Sequence, residues 1–159
     1  MSDQRSIIRI AGVVPESVTD GPGVRFVIFV QGCERHCLGC HNPHTHDPDG
    51  GYEIEVAKLL TMIKTNPLLN GVTLSGGEPF LQAARLANLA RQCHELGLSV
   101  VTYTGYQHEE LLAANYLDWQ ELLQQTDVLI DSPFVQDQAT AMLPFRGSQN
   151  QRMIQLREF

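Results

Sequence analysis

Apolar positions gather along the chain in two rhythms. IIRIAGVV (7–14), VRFVIFV (24–30), GVTLS (71–75), LSVVTYT (98–104) and DVLID (127–131) are short runs rich in β-branched and aromatic residues, which predicts strands. Between them, apolar residues recur three and four apart over 56–64 and 80–96, with shorter helical stretches at 109–114 and 119–124, which predicts helices. DGPG at 20–23 is a turn signal, and HNPHTHDPDGG at 41–51 is a loop by its Gly, Pro and His content. The repeated β-then-α order, with no linker or internal repeat, predicts one α/β domain over residues 1–159 with a largely parallel sheet.

In such sheets a ligand site belongs at the carboxyl ends of the strands. The unusual motifs all fall there. GCERHCLGC (32–40) follows the strand at 24–30, SGGEP (75–79) the next, TGY (104–106) the third and DSPF (131–134) the last. One pocket is therefore expected to collect all four.

Composition narrows the setting. A formal net charge of −7 argues against a phosphate backbone as the main partner, since nucleic-acid surfaces are built from Lys and Arg. The longest apolar stretch, FVIFV at 26–30, is far too short to span a bilayer, and MSDQRSIIRI does not read as a secretion signal. The expectation is a cytoplasmic protein without a membrane partner. In that compartment clustered thiols usually bind metal or do redox chemistry.

Three of the four cysteines, Cys33, Cys37 and Cys40, are too close in sequence to brace distant parts of a fold, whereas Cys93 stands apart. Cys93 shares a stripe with Leu86, Leu89, Ala90 and Leu96, the spacing of a buried helix face. A structural zinc site completed by His36, His41, His44 or His46 is one reading of the three thiols. The other is a cluster with one open iron, because three thiolates leave one corner of a 4Fe–4S cube without a protein ligand, and an open position is what chemistry needs.

CERHCLGC resembles the three-cysteine signature of the radical S-adenosylmethionine enzymes, and SGGE at 75–78 resembles their methionine-binding motif. DGPGVRFVIFVQGCERHCLGCHNP further resembles the opening of the activases that install glycyl radicals. TYTGY (102–106), VLIDSPFVQD (128–137) and PFRGSQNQR (144–152) resemble the branch that acts on anaerobic ribonucleotide reductase. The branch that activates pyruvate formate-lyase carries Asp-x-Lys where this chain has Asp131, Ser132 and Pro133.

The resemblance implies a partial (β/α) barrel, a 4Fe–4S cluster on Cys33, Cys37 and Cys40, and S-adenosylmethionine on its open iron. Ser75, Gly76, Gly77 and Glu78 are expected to bind the methionine ammonium, with the glycines letting the backbone approach the ligand. Gly39 and His41, flanking the third cysteine, are counted with the cofactor-binding residues. Asp131 is expected either to hold ribose hydroxyls or to cap the following turn. With Pro133 in place of the lysine, Arg146 is expected at the methionine carboxylate. Arg25 is either structural or turned toward the site. The implied partners are a large glycyl radical enzyme, most simply the anaerobic ribonucleotide reductase, which would close over the radical, and a low-potential electron donor.

Overall fold

The computed structural model describes residues 6–34, 37, 39, 40 and 43–157. Seven strands form one sheet: β1 (Ile7–Ser17), β2 (Arg25–Val30), β3 (Tyr52–Glu55), β4 (Gly71–Gly76), β5 (Ser99–Tyr103), β6 (Val128–Asp131) and β7 (Arg152–Gln155), in the order β3-β1-β2-β4-β5-β6-β7. The centre, β2-β4-β5-β6, is parallel. Antiparallel strands flank it, β1 and β3 on one side and β7 on the other. The sheet is mixed α/β and does not close into a barrel.

The central strands read as nearly continuous apolar runs because both of their faces are covered. Helices α1 (Val56–Lys64), α2 (Ala83–Glu95) and α4 (Leu117–Gln124) contribute Leu59, Ile63, Leu86, Leu89 and Leu122 to the main core, against Ile28, Leu74, Val100 and Leu129 of the sheet. The other face carries a smaller cluster, Val101, Val128 and Ile130, on which Tyr103 and Phe145 pack. α3 (His108–Ala114) is a short helix whose Gln107–Glu110 capping box satisfies its first turn. No helix among the described residues is long and apolar enough to cross a membrane.

Two strands escape the hydrophobic pattern. β3 and β7 are edge strands of 4 residues each, and neither follows the buried pattern of the central strands. Their pairing with β1 and β6 makes them strands, not their own composition. The helix expected over 80–96 begins instead with a 3-10 turn at Pro79–Gln82. There Gln82 points its amide into the gap beside β1, accepting from Arg9 N at 2.9 Å and donating to Arg9 O at 2.9 Å. That tie holds the entry turn against the sheet.

Arg25 is structural. Its buried guanidinium donates to Thr73 Oγ1, Pro22 O, Ser99 Oγ, Val72 O and Ser99 O, joining the first residues of β2 and β5 to β4. Burial lowers its pKa to about 10, which still leaves it charged at neutral pH.

Candidate cluster and nucleotide site

The parallel register builds the site. β2 and β4 pair with Phe29 beside Ser75 and Val30 beside Gly76, so the cysteine loop leaves one strand where the SGGE turn leaves its neighbour. Two backbone bonds then lock loop to turn, Gly77 N to Val30 O at 2.9 Å and Glu78 N to Gly32 O at 2.8 Å. This contact is what requires the glycines. Gly76 has φ +97°, and a Cβ there would lie 2.6 Å from Val30 N; a Cβ on Gly77 would lie 2.3 Å from Gly32 O. The close approach seen here is of protein backbone to protein backbone.

A cleft of about 460 Å³ opens at this end of the sheet. Cys33, Cys37 and Cys40 line it together with Ser75, Gly76, Gly77, Glu78, Thr104, Gly105, Ser132 and Arg146. All four motifs predicted to share a pocket contribute to it. Cys93 is buried in α2, far from solvent, and burial pushes its thiol up to about 12.

Glu78 is 3% exposed, and its carboxylate ties two loops together. It accepts from Thr104 Oγ1 at 2.9 and 3.0 Å, Gly105 N at 2.7 Å and Phe80 N at 3.1 Å. The residue thus fixes the TGY loop to the SGGE turn while lining the cleft.

Two expected site residues are absent from the cleft lining. Asp131 is absent from the cleft lining; it is fully buried and its carboxylate accepts from Arg152, from His108 N at 2.8 Å and from Ser132 Oγ at 3.1 Å. Its backbone partner is the first residue of α3, not the turn that follows β6, and an arginine 21 residues later in the chain pairs its charge. Gly39 is exposed at φ +76°, with Gln136 where its Cβ would be, and does not line the cleft. It serves the path of the loop. His41, like His36, lies outside the described residues.

Other lining residues carried no chemical signal in the sequence. Thr19 falls in none of the motifs, Asp20 reads as the first residue of the DGPG turn, and Tyr103 as a strand residue within TYTGY. Phe145, Gly147 and Gln151 lie in PFRGSQNQR (144–152), whose density of amides was the available clue. That segment folds as a loop held by side chains: Asn150 Nδ2 donates to Pro133 O at 2.8 Å and Gln151 Nε2 to Ser132 O at 3.1 Å. Ser132 and Phe145 adopt φ of 81° and 64°, conformations that side-chain-bearing residues keep only where the surroundings hold them.

A family profile described as a 4Fe-4S single cluster domain matches residues 19–154. The anaerobic ribonucleoside-triphosphate reductase-activating protein of Vibrio cholerae is 35% identical over 147 residues, covering 86% of this chain and 91% of that protein. Its counterpart in Salmonella typhi is 32% identical over 151 residues, 90% of this chain and 96% of that protein. The pyruvate formate-lyase-activating enzyme of Clostridium pasteurianum is 34% identical over 146 residues, 87% of this chain, but the match spans 58% of that longer enzyme. Among solved structures, QueE from Escherichia coli overlaps 68% of this chain and 60% of its own at a TM-score of 0.49 and 19% identity.

The chain belongs to the 4Fe–4S single cluster domain family, among the radical S-adenosylmethionine activating enzymes. Its cofactors are a 4Fe–4S cluster and S-adenosylmethionine. The residues fit both. Three thiols line one cleft, a donor set of the kind an iron–sulfur cluster takes. The cleft also offers a buried carboxylate and a guanidinium, the two charges an amino-acid zwitterion pairs with.

Proposed function

We propose that this protein is the activase of an anaerobic ribonucleoside-triphosphate reductase and generates a glycyl radical on that larger enzyme, using an electron from a low-potential donor. When bound, the cofactors supply reductive cleavage of the sulfonium and a 5′-deoxyadenosyl radical able to take a hydrogen from a glycine Cα.

The chain's own residues hold and orient. Cys33, Cys37 and Cys40 are the cluster ligands, and the carbonyls of the Ser75–Gly77 turn with the fixed charge of Glu78 receive the methionine ammonium. Arg146 receives the methionine carboxylate. It lines the cleft, its guanidinium makes one hydrogen bond, Nε to Pro144 O at 3.1 Å, and it has no acidic partner among the described residues. The buried walls of Glu78, Ser132 and Thr104 keep the inner end of the cleft out of bulk water.

Coverage is the observation that carries the choice of target. The reductase-activating relatives are matched over 91% and 96% of their lengths and the first lyase-activating one over 58%. A lyase target is the second reading, favoured by 44% identity over 84 residues to the pyruvate formate-lyase 1-activating enzyme of Escherichia coli (strain K12). The test mixes reduced, reconstituted protein and S-adenosylmethionine with each candidate partner anaerobically and records electron paramagnetic resonance. A glycyl doublet on the reductase, lost when its radical glycine is replaced, is the expected result. A doublet on the lyase alone would move the assignment to the second reading.

A further inference from the structure

Arg146 sits in a turn whose two neighbours are each gripped by another residue of the same cleft. On one side, the Tyr103 hydroxyl donates to Phe145 O at 2.6 Å. On the other, Gln151 Oε1 accepts from Gly147 N at 2.8 Å and from Ser148 N at 3.2 Å. The far end of the Gln151 amide donates to Ser132 O at 3.1 Å, so the turn is tied to the cleft wall that follows β6. We propose that Tyr103 and Gln151 are positioning residues that clamp the backbone on either side of Arg146, and so set where its guanidinium meets the methionine carboxylate. This rests on the role given to Arg146 above.

The turn needs such a clamp. Phe145 holds φ 64°, a region a phenylalanine leaves unless neighbours prevent it. Its ring packs with Tyr103 on Val101, Val128 and Ile130, which fixes the side chain but not the direction in which the following residue departs. The two hydrogen bonds fix that direction. Among the described residues the guanidinium itself is held only by Nε to Pro144 O, so its reach is decided by the backbone beneath it. Arg25, in contrast, is saturated by protein acceptors, and Arg152 is paired with two carboxylates. The tyrosine is also a durable donor: burial and Asp20 push its pKa up, against the opposing pull of Arg25 and Arg146.

The test uses the full chain with its cluster reconstituted and no reductant, so that binding is read without turnover. Dissociation constants are measured by calorimetry for S-adenosylmethionine and for decarboxylated S-adenosylmethionine, which lacks the carboxylate, beside iron and sulfide content and melting temperature. Tyr103→Phe and Gln151→Leu should each weaken S-adenosylmethionine binding roughly three- to tenfold, the scale of one lost hydrogen bond. Their affinity for the decarboxylated ligand and their cluster content should stay unchanged. Arg146→Gln should narrow the preference between the two ligands, and Arg146→Lys should restore part of it. Adding Tyr103→Phe to Arg146→Gln should then change nothing further.

Wild-type affinity in Tyr103→Phe would overturn the clamp, as would an equal loss for both ligands or an equal effect in the Arg146→Gln background. A full preference retained by Arg146→Gln would instead overturn the role of Arg146 itself. Should Gln151→Leu not fold, Tyr103→Phe carries the test alone.

Discussion

Cysteine chemistry divides the four thiols sharply. Burial pushes Cys93 up to about 12, so almost none of it is thiolate at neutral pH, and the thiolate is the reactive form. Iodoacetamide should therefore label Cys33, Cys37 and Cys40 in the native apo-protein and reach Cys93 only after unfolding, as peptide mass analysis would record. Replacing any of the first three should empty the cluster, measured as iron and sulfide. Cys93→Ala should keep it and cost roughly 1 kcal/mol, the scale of losing one small buried group. Glu78 acts differently from a simple ligand. Because Thr104, Gly105 and Phe80 all donate to its carboxylate, Glu78→Gln turns an NH₂ toward groups that are themselves donors. The variant should lose about 1–3 kcal/mol of stability by denaturant titration, along with weaker S-adenosylmethionine binding by calorimetry. A loss of affinity at unchanged stability would mean that the carboxylate serves the ligand alone.

Among the elements, β7 depends most on a few polar contacts. Arg152 reaches from it to Asp131 at the end of β6 and to Glu109 in α3, with Nη1 and Nη2 on the two carboxylate oxygens of Glu109 at 2.9 and 2.7 Å. The hydrogen bonds to Arg152 lower the Glu109 pKa from 4.5 to about 2. A carboxyl depressed on folding adds stability above its unfolded pKa and loses it as the pH falls through its folded one. The pair therefore holds β7 fully above about pH 4.5 and fades toward pH 2. Glu109 is exposed, so salt should weaken the effect further. NMR titration of the Glu109 side chain is expected to give the low midpoint, and Arg152→Gln to return it toward 4.5. The two edge strands, β3 and β7, are also where hydrophobic patterning failed, since their strand character comes from partners more than forty positions away in β1 and more than twenty away in β6.

For the whole molecule, the site lies where several separately held loops meet, so ligands that bridge them should stabilise the fold. A ligand present at 100 times its dissociation constant adds about 2.7 kcal/mol to a state that alone can bind it. S-adenosylmethionine should raise the melting temperature of the reconstituted protein, and hydrogen exchange should slow in the turn at 75–78 and the loop at 145–151. No shift in either segment would mean that the ligand sits elsewhere. The sheet itself should respond little, because its apolar centre is already closed on both faces by helices and by the Val101 cluster.

Covalent spacing and periodicity determined a good deal without any tertiary information. The helix at 56–64 and the central strands follow from which positions are apolar, and the three cysteines stand near one another because so few bonds separate them. The convergence of four motifs follows too, since parallel strands bring all their carboxyl ends to one edge. Tertiary structure decided whatever depended on partners remote in sequence. It paired Asp131 with Arg152, and it packed Gly76 and Gly77 against the backbone of Val30 and Gly32. It also brought Tyr103 and Gln151 to either side of Arg146. A side chain's type limits which bonds it can make, but only the packed chain determines which donor or acceptor arrives first, and an atom committed to one partner is withdrawn from the rest.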